Sequence, residues 1–248
     1  MRRYIHHPRF AVILRFISLS IFFSPQVNAL VISQLYGGGG NNGALFSHDF
    51  IEIFNNSSTA MDLSVMSVQY AAASAATWHQ TDLGGTLLAP FEYYLIEEGG
   101  SSLLNGASLP TPDTIGTINF SASSGKIALV NNTISLSVAC PSVSILDFVG
   151  YGSANCYGGS TVGNLSNTTA SLRLQGGLTD TGNYAADFEI LAPNPRNTGF
   201  PQNFPAGNSS GQGSVPLNEP SSLMLVLAGI LLFPLHRCLG PVICRCNS

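Results

Sequence analysis

Turn residues divide the sequence between Leu30 and Asn197 about once every dozen positions, and no long run of 3.6-residue amphipathic period survives between them. The clusters are Gly37 to Gly40 with Asn41-Asn42-Gly43, Asn55 to Thr59, Gly99-Gly100, Pro110 to Pro112, Ser123 to Gly125 and Gly150 to Gly152. Short apolar alternations lie between them, a β pattern. The predicted strands are Leu30 to Leu35, Asp49 to Phe54, Ser64 to Tyr70, Thr77 to Gln80, Tyr93 to Glu97, Thr117 to Phe120, Lys126 to Val130, Ser144 to Val149 and Ser171 to Leu174. Ala71 to Ala76, small and apolar between two strands, reads as a connection. Such spacing argues for an all-β chain, a sandwich or barrel of antiparallel strands with one core. The ordered domain is expected over residues 30–197, closing at Pro193-Asn194-Pro195-Arg196-Asn197, with 198–217 as a flexible linker.

Charge narrows the classes further. Only 9% of the 248 residues are charged, against about 25% in an ordinary soluble domain. With 45% apolar residues, 26 Gly and 14 Pro, the chain is neither a disordered solvating polymer nor a helical bundle. Six of the nine cations lie near the two ends, so the region from Leu30 to Leu217 keeps Lys126, Arg173 and Arg196 against twelve acids, a net charge of −9. Without a basic stripe to displace counterions, nucleic acid is excluded as a partner. Acidic polysaccharide would need a bridging divalent cation.

Both ends read as addresses. Arg2, Arg3, Arg9 and Arg15 come before the apolar run Phe16 to Phe23, followed by Pro25 and the small-residue site Val27-Asn28-Ala29. This is the order of a secretory signal peptide over residues 1–29, cleaved after Ala29. At the other end Asn218-Glu219-Pro220-Ser221-Ser222 leads into the apolar run Leu223 to Leu235 and then His236-Arg237. At 1.5 Å per residue that run reaches about 20 Å, short of the roughly 30 Å hydrocarbon core, and suits a transient signal better than a permanent anchor. Residues 218–248 resemble the PEP-CTERM sorting signal, although Asn218 stands where its first Pro belongs and an extra tail, Cys238 to Ser248, follows. The resemblance implies an exosortase-type partner in a Gram-negative bacterium, membrane contact at least transiently through 223–235, and a final place at the cell envelope, surface or extracellular matrix. An ordinary tail anchor continuing through Pro241 to Ile243 is the alternative.

Of five Cys, Cys140 and Cys156 lie in the exported region, while Cys238, Cys244 and Cys246 follow the apolar run. Two thiols in an exported domain most simply form one disulfide, closing a loop of about 15 residues and worth on the order of 3 kcal/mol in the chain-entropy model. A metal site would need more ligands, and no His accompanies them. The tail thiols are removed with the tail, or left unpaired or acylated if it is retained.

Catalytic residue types concentrate in two places, His48-Asp49 with Glu52 and Trp78-His79 with Asp82. Asp49 and Glu52 are three apart on a strand and point to opposite faces, so they cannot act as a pair without a bulge. Glu52 is expected to face outward or cap an edge. Neither His belongs to a metal motif, Lys126 has no nucleophile pattern around it, and no catalytic residues are assigned. The one metal suggestion is Ca²⁺ at Asp180, Asn183 and Asp187, oxygen ligands in a turn, but the spacing departs from the EF-hand and an Asx-type turn before a strand is the favoured reading, so no metal site is assigned. No other cofactor is expected.

Several segments taken in order resemble the lamin-tail domain in its bacterial exported form. They are Val31 to Tyr36 running into Gly37 to Ala44, Asp49 to Asn55, Leu63-Ser64 with Val68 to Tyr70, Leu83 to Leu88 with Tyr94 to Ile96, Leu109 to Asp113, Ser124 to Leu129, Asp147 to Gly152, and Asp187 to Asn197. Where that family often has Glu after an aromatic beyond the second Cys, this chain has Gly158 after Tyr157. The resemblance implies an immunoglobulin-like β-sandwich. The expected function is a non-catalytic exported surface or matrix protein used for adhesion, binding or structure, with a surface, protein or polysaccharide ligand left open. The alternative is an accessory module of a secreted nuclease or phosphatase, or a cryptic hydrolase.

Overall fold

The computed structural model describes residues 29–156 and 159–205. The signal segment up to Asn28, the motif Glu219-Pro220, the run 223–235 and Cys238, Cys244 and Cys246 lie outside the described residues. Among the described residues no helix is long and apolar enough to cross a membrane.

Strand β1 (Leu30–Tyr36) shows how sequence becomes layer. Leu30 and Ile32 face the main core while Val31 packs in a separate cluster behind the sheet. A register shift between Ile32 and Gln34 against β2 (Phe50–Asn55) adds one residue. The bulge restores the inward face to Leu35 and leaves Tyr36 outside. In β2, Ile51 and Ile53 point in, whereas Phe50 and Phe54 belong to outer clusters.

The remaining elements are β3 (Met61–Asp62), β4 (Ser67–Ala72), β5 (His79–Asp82), β6 (Leu87–Leu88), β7 (Tyr93–Glu97), β8 (Thr114–Ile115), β9 (Gly125–Val130), β10 (Ile145–Tyr151), β11 (Ala170–Arg173), the one-turn helix α1 (Tyr184–Asp187) and β12 (Phe188–Leu191). One sheet runs β12-β11-β1-β2-β7-β8, antiparallel except for the parallel β7–β8 pair, and the second runs β10-β9-β4-β5. Val68, Tyr70, Ile127, Leu129, Val149 and Tyr151 of the second sheet meet Ile32, Ile51, Ile53, Tyr94 and Ile96 of the first. Of the sandwich or barrel that the strand spacing allows, this is the two-layer sandwich.

Three expectations change. The segment Thr117 to Phe120 joins no sheet as a strand. Its inward amides at Ile118 and Phe120 are taken instead by the side chains of Glu98 (2.9 Å) and Asp49 (2.9 Å). The short strands β3 and β6 and the edge strand β12 carry too little alternation to be read from sequence. Packing also continues beyond Asn197: Phe200 meets Tyr93 edge-on, Phe204 meets Phe91, and the Asn203 amide donates to Phe91 O.

Candidate functional site

The proposed Ca²⁺ ligands are claimed by a cation already in the chain. Arg173 at the end of β11 is buried, and its Nη2 donates to Asp147 Oδ2 at 2.7 Å. Nη1 lies 3.7 Å from Asp180 Oδ1 and 3.7 Å from Asp187 Oδ2, and Nε donates to Ile32 O at 2.9 Å. The guanidinium stacks 4.5 Å from the Phe188 ring centroid, a desolvated cation–π contact. Asp187 also accepts from Thr181 N and Oγ1, while exposed Asn183 precedes α1 and contributes its carbonyl to Ala186 and Asp187. Two of the three residues, Asp180 and Asp187, thus already face a guanidinium, and Asp187 is further engaged by Thr181. Among the described residues no group of three or more His, Cys, Asp or Glu is placed to hold a metal.

Glu52 also departs from expectation. It does point away from the main core, but that outer face is covered by the chain after β12. Its Oε1 accepts from Arg196 Nη2 at 2.6 Å and Ser33 Oγ at 2.6 Å, and its Oε2 accepts the Arg196 amide at 2.7 Å. The carboxylate thereby straps the Pro193 to Asn197 segment onto β1 and β2. Arg196 lies 3.8 Å over the Tyr93 ring and bonds its hydroxyl, and burial pushes that phenol up to about 12.

Asp49 has a partner that sequence spacing could not supply. Glu98 lies across from it, its amide donating to Asp49 O at 2.8 Å. Asp49 accepts from Gly39 N and Phe120 N, and Glu98 accepts from Ile118 N. Among the described residues Glu98 Oε1 has no hydrogen-bond partner. Burial pushes both carboxyls up to about 7, and the charge of Glu98 adds to the shift at Asp49. Gly39 is required here, because a Cβ would fall 2.0 Å from the His48 carbonyl carbon. His48 itself pairs through Nδ1 with Ser47 Oγ, and His79 and Asp82 lie exposed on β5.

Sequence reasoning treated Trp78, Lys126 and the cysteines separately, and the structure joins them. The outer face of the second sheet mixes polar side chains with an apolar cluster of Ala71, Trp78, Ala128 and Val130, against which Leu136 packs, and the loop 131–144 between β9 and β10 lies over it. Ser67 Oγ donates to Asn132 O, Gln80 Nε2 to Thr133 O, Gln69 Nε2 to Ile134 O, Trp78 Nε1 to Val138 O and Lys126 Nζ to Ala139 O. Leu136 N donates back to Gln69 Oε1, and the Asn131 amide to Ser144 O closes the neck. Cys140 and Cys156 are joined in a disulfide that ties the loop to the turn after β10. Lys126 reaches that turn as well, through Asn155 Oδ1 at 3.0 Å. The loop's backbone polarity is thus turned inward. Ile134, Val138 and Val143, left 74%, 54% and 76% exposed, line a hollow of about 370 Å³ together with Leu136 and Pro141.

The architecture is that of an immunoglobulin-like β-sandwich carrying a disulfide-tied loop platform. The chain belongs to the Lamin Tail Domain family, which matches residues 24–184, well over half of its length. No curated protein matches it. Among solved structures it is similar to a DUF4876 family protein from Bacteroides thetaiotaomicron VPI-5482, at 14% identity and a TM-score of 0.46, over 74% of this chain and 76% of that one.

Proposed function

We propose that this is a non-catalytic exported protein of the bacterial cell surface or extracellular matrix, whose lamin-tail sandwich serves in binding or structure. The observation that carries the reading is the loop 131–144, held by a disulfide and five side-chain-to-carbonyl bonds, one of them from the buried Lys126. A disulfide persists in oxidising compartments, in agreement with a signal peptide ending at Ala29. In this reading the PEP-CTERM-like segment around Glu219-Pro220 delivers the chain to an exosortase, with passing membrane contact through 223–235.

Mass spectrometry of the protein from producing cells tests the route. The expected product starts at Leu30 and lacks everything beyond about Pro220. A terminus still at Ser248 would sink the sorting step, and one still at Met1 would sink export. Alkylation without reductant is expected to leave Cys140 and Cys156 unmodified.

A further inference from the structure

We propose that Asn42 is a site of spontaneous covalent modification, at which the Gly43 backbone nitrogen displaces the side-chain amide. The cyclic imide so formed opens with water to isoaspartate and aspartate. The inference concerns one turn of the domain and does not depend on the proposed function.

The tripeptide Asn-Gly-Ala occurs twice, at Asn42-Gly43-Ala44 and at Asn105-Gly106-Ala107. The local chemistry of the two is the same, so the fold separates them. Glycine after Asn favours the attack, because no Cβ crowds the incoming nitrogen and its backbone turns freely.

Asn42 and Gly43 are the central residues of a turn closed by the Ala44 amide on Asn41 O at 3.0 Å. Both are exposed. Gly43 takes a φ of +77°, and a Cβ there would meet nothing within 4 Å. Among the described residues no group bonds the Asn42 side chain or the Gly43 amide, and the Asn42 carbonyl accepts from Asn167 Nδ2 at 3.0 Å. That donor assists the reaction: when the Gly43 nitrogen loses its proton, the anion shares its charge with the Asn42 carbonyl oxygen. The second copy is held differently. The Asn105 amide donates to Gly40 O at 3.2 Å, the Ala107 amide to Leu45 O at 2.9 Å, and Ala107 O accepts the Ser47 amide at 2.8 Å. A Cβ on Gly106 would fall 2.6 Å from the Phe46 carbonyl carbon. The Gly106 nitrogen therefore cannot swing onto the Asn105 side chain until these bonds loosen.

In the first step the Gly43 nitrogen gives its proton to solvent hydroxide and bonds to Asn42 Cγ. The bond from Cγ to the side-chain nitrogen breaks, and ammonia leaves with a proton from water. Water then adds to either imide carbonyl. Opening at Cγ gives aspartate, and opening at the backbone carbonyl gives isoaspartate, whose chain runs through Cγ. Each product adds a negative charge to an already acidic domain, and isoaspartate also adds a methylene to the turn.

Peptide mapping by mass spectrometry tests this on the full chain, incubated folded in warm neutral buffer. The Asn42 peptide should gain one mass unit, NH2 becoming OH, and resolve into isoaspartyl and aspartyl forms. Asn105 should convert about tenfold or more slowly, equivalent to ~1.4 kcal/mol in the barrier, for the backbone bonds that must loosen there. In urea the two rates should converge. Gly43→Ala should slow conversion at Asn42, folded and in urea alike, and leave Asn105 unchanged. An Asn42 that stays intact in the folded chain would overturn the proposal. So would equal rates at the two sites in the folded chain, or aspartate formed without isoaspartate.

Discussion

Two buried carboxylate sites in this domain are neutralised by different means. Asp147 meets Arg173 at 2.7 Å and also receives the Ile32 amide, the Phe148 amide and the Tyr184 hydroxyl. Asp49 and Glu98 have amide donors but no cation, and their carboxyls move up to about 7. With Arg173 committed to Asp147, Arg196 to Glu52 and Lys126 to loop carbonyls, none of the domain's three cations serves Asp49 and Glu98. A cation-poor chain can bury a carboxylate beside an arginine or beside a proton, and this one does both. Among the described residues the same allocation leaves no Lys or Arg fully exposed.

The largest effect is expected from breaking the cation-held site. Arg173→Met leaves Asp147 buried and uncompensated, a loss of about 3–5 kcal/mol measurable by urea unfolding. Arg173→Lys should recover only part of it, because an ammonium cannot reproduce the fork that spans Ile32 O and Asp147. Arg196→Ala, at a less buried pair, should lose about 2 kcal/mol and loosen the 193–204 segment, visible as faster amide exchange there.

The proton-held site makes the opposite kind of prediction. The folded-state values for Asp49 and Glu98 lie above those of the unfolded chain, so from about pH 4 to pH 7 the folded form holds more protons. Stability should then fall as pH rises through that window and level off above it, by on the order of 2.5 kcal/mol for each of the two carboxyls between pH 5 and pH 8. Glu98→Gln and Asp49→Asn should each flatten the slope, and a slope unchanged in both would break the comparison. The smallest effect is chemical: an acylating reagent should label the terminal amine of the folded protein and spare Lys126, which is fully buried. Rapid modification of Lys126 would mean the loop 131–144 opens freely.

Sequence pattern reached the strands well where one face is apolar and the flanks are turns. Tyr93–Glu97 matches its prediction, and Leu30–Tyr36, Gly125–Val130 and Ala170–Arg173 match within one residue. It failed at Thr117 to Phe120, which alternates like a strand but whose amides find carboxylates instead of a neighbouring strand. At Asp180 and Asp187 it was silent about the partner, because turn acids look alike whether they close a turn, await a metal or face an arginine brought from another strand. Asp147 and Arg173 are 26 residues apart and Glu52 and Arg196 are 144 apart. No local spacing encodes such pairs. The loop platform was legible only in pieces. Two cysteines, one lysine and one tryptophan were visible, but the inversion that turns its carbonyls in and its valines out is a tertiary fact.

The most direct test of the two-site account is a side-chain carboxyl ¹³C NMR titration of Asp49 and Glu98. The account predicts that both carboxyls titrate near pH 7, and that Glu98→Gln brings the Asp49 midpoint down as its like-charged neighbour is removed. Midpoints for both near 4, unmoved by Glu98→Gln, would contradict it.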